Sequence, residues 1–202
     1  MASELREGWY WPVGDVGAWE WVFLRERTLP EKILKYVSDF DLCIHAGAHA
    51  GVYAKQYSQI FNRVLAVEPE PTNFHCLVNN VPEVNVIKLN CALGSTNHWC
   101  SIAPPWDGEK NSGGYMVGEG NSTPVLRIDD LIGNSQVGLI HLDVEGYEEM
   151  VLRGASSLLY YQSPIICLET IHPDKDRQAR EFIRQFGYEI AEVLPHDTIY
   201  RK

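Results

Sequence analysis

The sequence predicts an α/β fold with a mostly parallel central sheet, helices on both faces and an antiparallel hairpin at the C-terminus. Three observations predict it. Short β-rich apolar runs alternate with helical stretches from about residue 41 onward, the pattern of successive βαβ units. A Gly/Ala turn separates the first apolar run from its helix in DLCIHAGAHAGVYAKQYSQIFNRVLAVE, residues 41–68. Several of the apolar runs end on an acidic residue, where α/β sheets hold their ligands.

The first strand is expected near Asp41 to His45, and Gly47, Ala48 and Gly51 follow it. Small residues there let backbone and ligand approach closely, where a larger side chain would obstruct. A helix leads to the second strand, Arg63 to Val67, which delivers Glu68; Pro69 and Pro71 then forbid regular continuation. The interval from Gly47 to Glu68 is close to the ~20 residues expected between a glycine turn and a ribose-binding carboxylate, so Glu68 is expected to accept hydrogen bonds from two ribose hydroxyls. HAGAHAG is not a full G-x-G-x-x-G, and alone it also describes a tight strand-to-helix connection.

A third strand is expected at Val84 to Leu89. Residues 94–127 then turn to Gly, Ser, Asn and Pro, with GEKNSGGYMVGEGNSTP as the most polar portion. They read as a long loop or insertion, either a lid beside the ligand or an inert surface excursion. The fourth strand, Gly138 to Leu142, ends in Asp143, Glu145 and Gly146 before another helix. Glu68 and Asp143 are therefore expected to share one crevice, although Asp143 or Glu145 could also simply favour the positive end of the next helix. A fifth strand, Pro164 to Glu169, ends the same way, with Thr170 and His172 just beyond it. Asp176 to Phe186 then reads as an amphipathic helix stopped by Gly187, and Tyr188 to Val193 with Thr198 to Arg201 as the closing hairpin.

At 202 residues and 45% hydrophobic content the chain holds one α/β domain, residues 40–202, preceded by an aromatic-rich cap or lid over residues 1–39. Trp9, Trp11, Trp19 and Trp21 concentrate in that cap. Core packing is the simpler account of them, a sugar-stacking wall the alternative. There is no apolar run of eighteen residues and no secretory leader pattern, so a soluble cytoplasmic protein is expected. The formal net charge of −10 argues against a nucleic-acid-binding face, and no basic amphipathic helix suggests a membrane surface. Cys43, Cys76, Cys91, Cys100 and Cys167 form no CxxC spacing and read as buried reduced thiols.

HAGAHAG, AVEPEP, NCALG, LDVEGYE and LETIH match, in order, the motif series of FkbM-type S-adenosylmethionine-dependent methyltransferases, and the chain resembles that family over roughly residues 40–187. The resemblance implies a Rossmann-like class I methyltransferase fold with S-adenosyl-L-methionine as methyl donor. It places Gly47, Ala48 and Gly51 along the donor, Glu68 and the adjoining Pro69 at its ribose, Asn90, Cys91 and Ala92 at the adenine, and Asp143 near the sulfonium. His45 stands where the family pattern usually has Asp, near the donor's methionine amine. Family members typically methylate a hydroxyl oxygen, so the expected acceptor is a small molecule or carbohydrate.

Methyl transfer to an unactivated alcohol needs a base for the hydroxyl proton. Asp143 or His172 is expected to supply it, with Glu145 and Glu169 orienting the acceptor. An alternative is a divalent cation on Asp143, Glu145 and Glu169, whose hard oxygens suit Mg²⁺; no His/Cys spacing suggests zinc, and His49 reads as a helix-end residue. Two other classes share the glycine turn: an NAD-dependent oxidoreductase, and a catalytically inactive nucleotide-binding module.

Overall fold

A computed structural model of the chain describes residues 2–104 and 111–202. The N-terminal stretch forms a hairpin of β1 (Ser3–Arg6) and β2 (Trp9–Pro12), a π-helical segment (Trp19–Arg25) and α1 (Leu29–Leu34). Then come β3 (Leu42–Ala46), α2 (Val52–Ser58), β4 (Arg63–Val67), α3 (Pro71–Asn80) and β5 (Val86–Leu89). Next are β6 (Ala92–Leu93), β7 (His98–Ala103), β8 (Met116–Leu126), α4 (Ile128–Leu131), β9 (Val137–Leu142), α5 (Glu148–Arg153) and α6 (Ser156–Tyr161). The chain closes with β10 (Ile165–Glu169), α7 (Pro173–Arg184), β11 (Glu189–Val193) and β12 (Asp197–Arg201).

The central sheet has seven strands in the order β11-β12-β10-β9-β3-β4-β5. From β10 to β5 every pairing is parallel, whereas β12 runs antiparallel to both β10 and β11. This is the mostly parallel sheet with a C-terminal hairpin that the alternation predicted. The central strands are buried on both faces, as a sheet covered by helices requires. One face packs Cys43, Val64, Leu139 and Cys167 against Ile33 of α1, Tyr53 and Tyr57 of α2 and Leu77 of α3. The other packs Ile44, Leu65, Ile140 and Ile166 against Leu152 of α5, Leu159 of α6 and Phe182 of α7. Strand order reverses between β3 and β9, which places the ligand crevice of such a sheet beyond their carboxyl ends.

The region 94–127 differs from the long loop expected there. It carries β7 and all of β8, which pair antiparallel and, with β6, form a separate three-stranded sheet. Only Cys100, Thr123 and Val125 of β7 and β8 are buried, and β8 runs through the polar stretch GEGNST, so the two strands lack the alternation that marks a half-buried strand. Residues 108–110 of the polar run lie outside the described residues. The tryptophans divide: Trp11 and Trp19 are buried in the core, Trp9 is half-buried against it, and Trp21 is exposed at 41%. All five cysteines are free and buried. No helix among the described residues is long and apolar enough to cross a membrane.

Candidate functional site

Beyond the carboxyl ends of β3, β4 and β9 lies a cavity of about 320 Å³. Glu68 and Asp143, read from separate strand ends, both line it. His45, Gly47, Ala48, Pro69, Cys91, Ala92, Glu145 and Glu169 line it too. Gly51, Asn90 and His172 stand just outside. A Cβ on Gly51 would press into Val81 and Leu77, so its smallness and left-handed backbone (φ 92°) serve the packing of α2 on α3. The Asn90 side-chain amide donates to the Glu68 and Pro69 carbonyls, tying the end of β5 to that of β4. His172 reaches Glu145, at 3.4 Å.

Gly47 is fixed by geometry. Its φ is 78°, and a Cβ there would collide with the Asp143 carbonyl, because the ends of β3 and β9 meet at this point. The Gly47 and Ala48 N–H groups both donate to the Val67 carbonyl at 3.0 Å, which holds the turn against β4. Glu68 is equally anchored: Oε2 accepts from the His49 N–H and Oε1 from the Glu70 N–H, each at 2.8 Å. A carboxylate offers about four acceptor directions, so two remain for a diol in the cavity.

His49 is more than a helix-end residue. It is left-handed (φ 47°), buried and cavity-lining, and its Nε2 meets Ser112 Oγ at 2.7 Å. Ser112 is held in turn by Asp15, whose carboxylate also accepts from the Trp11 indole and the Trp19 N–H, so the N-terminal segment and the 111–113 stretch close one wall together. His49 and Asn73 both line the cavity, and their Nδ1 and Oδ1 atoms are buried without a hydrogen-bond partner. With the free directions of Glu68 and the small Cys91 and Ala92 beside it, this end fits an adenosine.

The opposite end is acidic. Glu26, Asp143, Glu145, Glu169 and Asp197 line it together with Trp21, Tyr53 and His196, and no Lys or Arg lines the cavity among the described residues. Sequence reasoning missed Glu26, Tyr53 and Asp197, which come from the N-terminal segment, the first crossover helix and the closing hairpin. Burial, then the charges of Glu145, Asp197, Glu148 and Glu26, push the Asp143 carboxyl well above its ordinary 3.8. Burial, then Asp143 and Glu145, does the same to Glu169. Asp197 is raised to about 7, mainly by burial, and Glu68 to about 7 by burial that its two backbone N–H donors partly offset. Near neutral pH this wall therefore holds protons that a solvated carboxylate would have lost. Glu145 also has a left-handed backbone (φ 54°) ahead of Gly146 (φ 81°), a conformation non-glycine residues adopt at some cost and which aims its side chain at the site. Glu145 and Glu169, two of the three expected cation ligands, bring ligand atoms within 4.8 Å of one another and of His172, whereas Asp143 is not part of that cluster.

A family model described as the methyltransferase FkbM domain matches residues 45–190. Among solved structures, the chain is similar to an FkbM methyltransferase from Methylobacillus flagellatus, at 17% identity over 86% of this chain and 50% of that one, TM-score 0.55. It is similar to a precorrin-6y C5,15-methyltransferase from Geobacter metallireducens, at 16% identity over 93% and 91% of the two chains, TM-score 0.54. A precorrin-8w decarboxylase from Methanobacterium thermoautotrophicum aligns at 14% identity over 89% and 90%, TM-score 0.55. At these identities the likeness is one of fold, and the chain spans half the length of the Methylobacillus protein. No curated protein sequence matches the chain significantly.

Proposed function

The chain belongs to the FkbM methyltransferase family, and from that premise we propose that it moves a methyl group from S-adenosylmethionine to a hydroxyl of a sugar, glycan or small metabolite. The observation that carries the reading is the shared cavity: the ribose-type carboxylate Glu68 and the acidic group Asp143 line one pocket at the point where strand order reverses. Bound S-adenosylmethionine supplies a methyl group already activated toward nucleophiles.

The rest of the work falls to the protein. Glu68 holds the two ribose hydroxyls, with its remaining bonds fixed by His49 and Glu70. Gly47 and Ala48 bring backbone close to the ligand, and Cys91 and Ala92 border the adenine. Asp143 or His172 accepts the proton that the acceptor hydroxyl sheds on attack; burial and the neighbouring acids raise the Asp143 carboxyl well above its ordinary 3.8, so its ionised form is a stronger base than a solvated carboxylate. Glu145, kept in place by His172, and Glu169 accept hydrogen bonds from the acceptor's other hydroxyls. Trp21 offers an apolar ring for a sugar face, with its N-terminal segment acting as a lid.

The test is a mass-spectrometric screen for a gain of one methyl on hydroxylated sugars, glycans and metabolites with S-adenosylmethionine present. Transfer to hydroxyls, and calorimetric binding of S-adenosylmethionine but not NADH, support the reading. Donor binding without transfer to any acceptor favours a binding module. The surplus of lining carboxylates motivates a second reading, an amine-bearing acceptor, since a cation would relieve their repulsion. Methylation of amino sugars on nitrogen in preference to matched neutral sugars on oxygen would select it.

A further inference from the structure

Beneath the acidic wall, on the same face of the sheet, lies a row of side chains that the proposed methyl transfer does not use. His45 of β3 stands opposite His141 of β9, which stands opposite Cys167 of β10. Asp197 of β12 reaches down to this row, with Oδ1 3.9 Å from Cys167 Sγ. One ligand atom each from His141, Cys167 and Asp197 lies within 4.8 Å of the other two. All three residues are at least 95% buried, at 0%, 0% and 5% exposure.

The polar atoms here are poorly served by the protein. Tyr57 Oη lies 2.9 Å from His141 Nδ1, but His141 Nε2 has no hydrogen-bond partner, and neither has Nδ1 or Nε2 of the adjacent, stacked His45. A buried ring nitrogen left unpaired is a cost that native cores avoid unless something binds it. The donor set is an imidazole nitrogen, a thiolate sulfur and a carboxylate oxygen, which suits Zn²⁺ and its transition-metal neighbours and not Mg²⁺. A metal-bound histidine ordinarily passes its other ring N–H to a partner that fixes the ring. Tyr57 is placed for that role, with Nδ1–H donating to its hydroxyl and Nε2 facing the metal.

We propose that His141, Cys167 and Asp197 form a binding site for one zinc-type divalent cation under the floor of the cavity. Tetrahedral ligation would draw the three atoms to about 3.5 Å from one another, a closure of roughly an ångström. Three protein ligands leave a fourth position. Asp197 and His45 both line the cavity, so that position opens toward it, where a water or an acceptor heteroatom can enter. The inference stands on this geometry and does not depend on which acceptor is methylated.

The probe is Co²⁺, titrated into the full chain after chelator treatment. The expected result is one saturable site with a thiolate-to-cobalt charge-transfer band in the near ultraviolet, bleached by equimolar Zn²⁺ and untouched by excess Mg²⁺. Cys167→Ser should abolish the band, and Asp197→Asn should weaken cobalt affinity at least tenfold while circular dichroism and urea denaturation report an intact fold. Asp197→Asn keeps the test valid if Cys167→Ser fails to fold. Absence of a saturable band in the parent protein, or an undiminished band in Asp197→Asn, overturns the proposal. Methyl transfer that survives loss of the cobalt site would leave the reaction assigned above intact, so the two readings fail separately.

Discussion

Replacing Glu68 by Gln separates what that side chain does for the ligand from what it costs the fold. Burial raises the carboxyl from its ordinary 4.5 to about 7. A group with a raised folded pKa gives stability that is fully present below about pH 4.5 and is lost as pH climbs through about 7. At about 1.4 kcal/mol per pKa unit, the ligand-free protein gives up about 2 to 3 kcal/mol at this residue between pH 5 and pH 8. Gln does not titrate, so the variant escapes that loss. It incurs another: its amide oxygen can accept from the His49 or the Glu70 N–H, not from both, and the unpaired donor costs about 1 to 3 kcal/mol at every pH. E68Q should therefore be less stable than the parent at pH 5, and the gap should close by about 2 to 3 kcal/mol by pH 8. Urea denaturation followed by tryptophan fluorescence at pH 5, 6, 7 and 8 measures this, and Asp197, also lifted to about 7, titrates alike in both proteins and cancels. Calorimetry at pH 8 should show at least a tenfold loss of S-adenosylmethionine affinity. Parallel stability curves for the two proteins would refute the burial argument, and unchanged affinity would remove Glu68 from the donor site.

Other perturbations follow from the same geometry. Gly47→Ala forces a Cβ into the Asp143 carbonyl at a left-handed φ, and should cost about 2 kcal/mol or more and weaken donor binding; a melting temperature within a degree of the parent would contradict the close approach of β3 and β9. Asp143→Asn should slow turnover by about 10²- to 10⁴-fold with donor affinity preserved, and His172→Ala should match it if the histidine is the base. Full turnover in both variants would discard the proton transfer assigned to them. Trp21→Ala should raise the acceptor KM several-fold with little change in stability, since the ring is partly exposed; steady-state kinetics at saturating donor would show no change if the ring is merely surface.

The fold was largely legible because its central strands are buried on both faces and so read as continuous apolar runs bounded by Gly and Pro. β4 occupies the predicted residues, and its neighbours shift by one or two, where strand ends fray. β7 and β8 were illegible for the opposite reason: few of their side chains are buried, so the short run WCSIA shows no core-facing period, and the Gly-rich run after Tyr115 carries strand pairing without strand composition. For the site, the turn-and-carboxylate spacing located Gly47 and Glu68, and the strand end located Asp143, because each role is tied to a position within a local βα unit. Glu26 and Asp197 enter the wall only when the N-terminal segment and the closing hairpin fold over the strand ends. His141 and Cys167 are 26 positions apart in sequence and adjacent only by register, so no ligand-spacing rule could have paired them.

Register also explains why chemistry concentrates on one face. Side chains two residues apart along a strand share a face, so His45, His141, Cys167 and Ile199 form one row, and continuing the pairing places Gly47, Asp143, Glu169 and Asp197 in the next. The lower row is neutral: burial holds His141 down at about 3 and His45 well below its ordinary 6.5, so neither imidazole carries a charge to balance the acids above. The upper row must then either keep protons or meet a positive charge brought in from outside. Asp41 shows the contrast: at the exposed opposite end of β3 it has Arg63 beside it at 2.7 Å. The fold pairs a carboxylate with Arg63 at one end of β3 and gathers Asp143, Glu169 and Asp197 at the other with no Lys or Arg lining the cavity among the described residues, so a cation entering there would relieve their mutual repulsion.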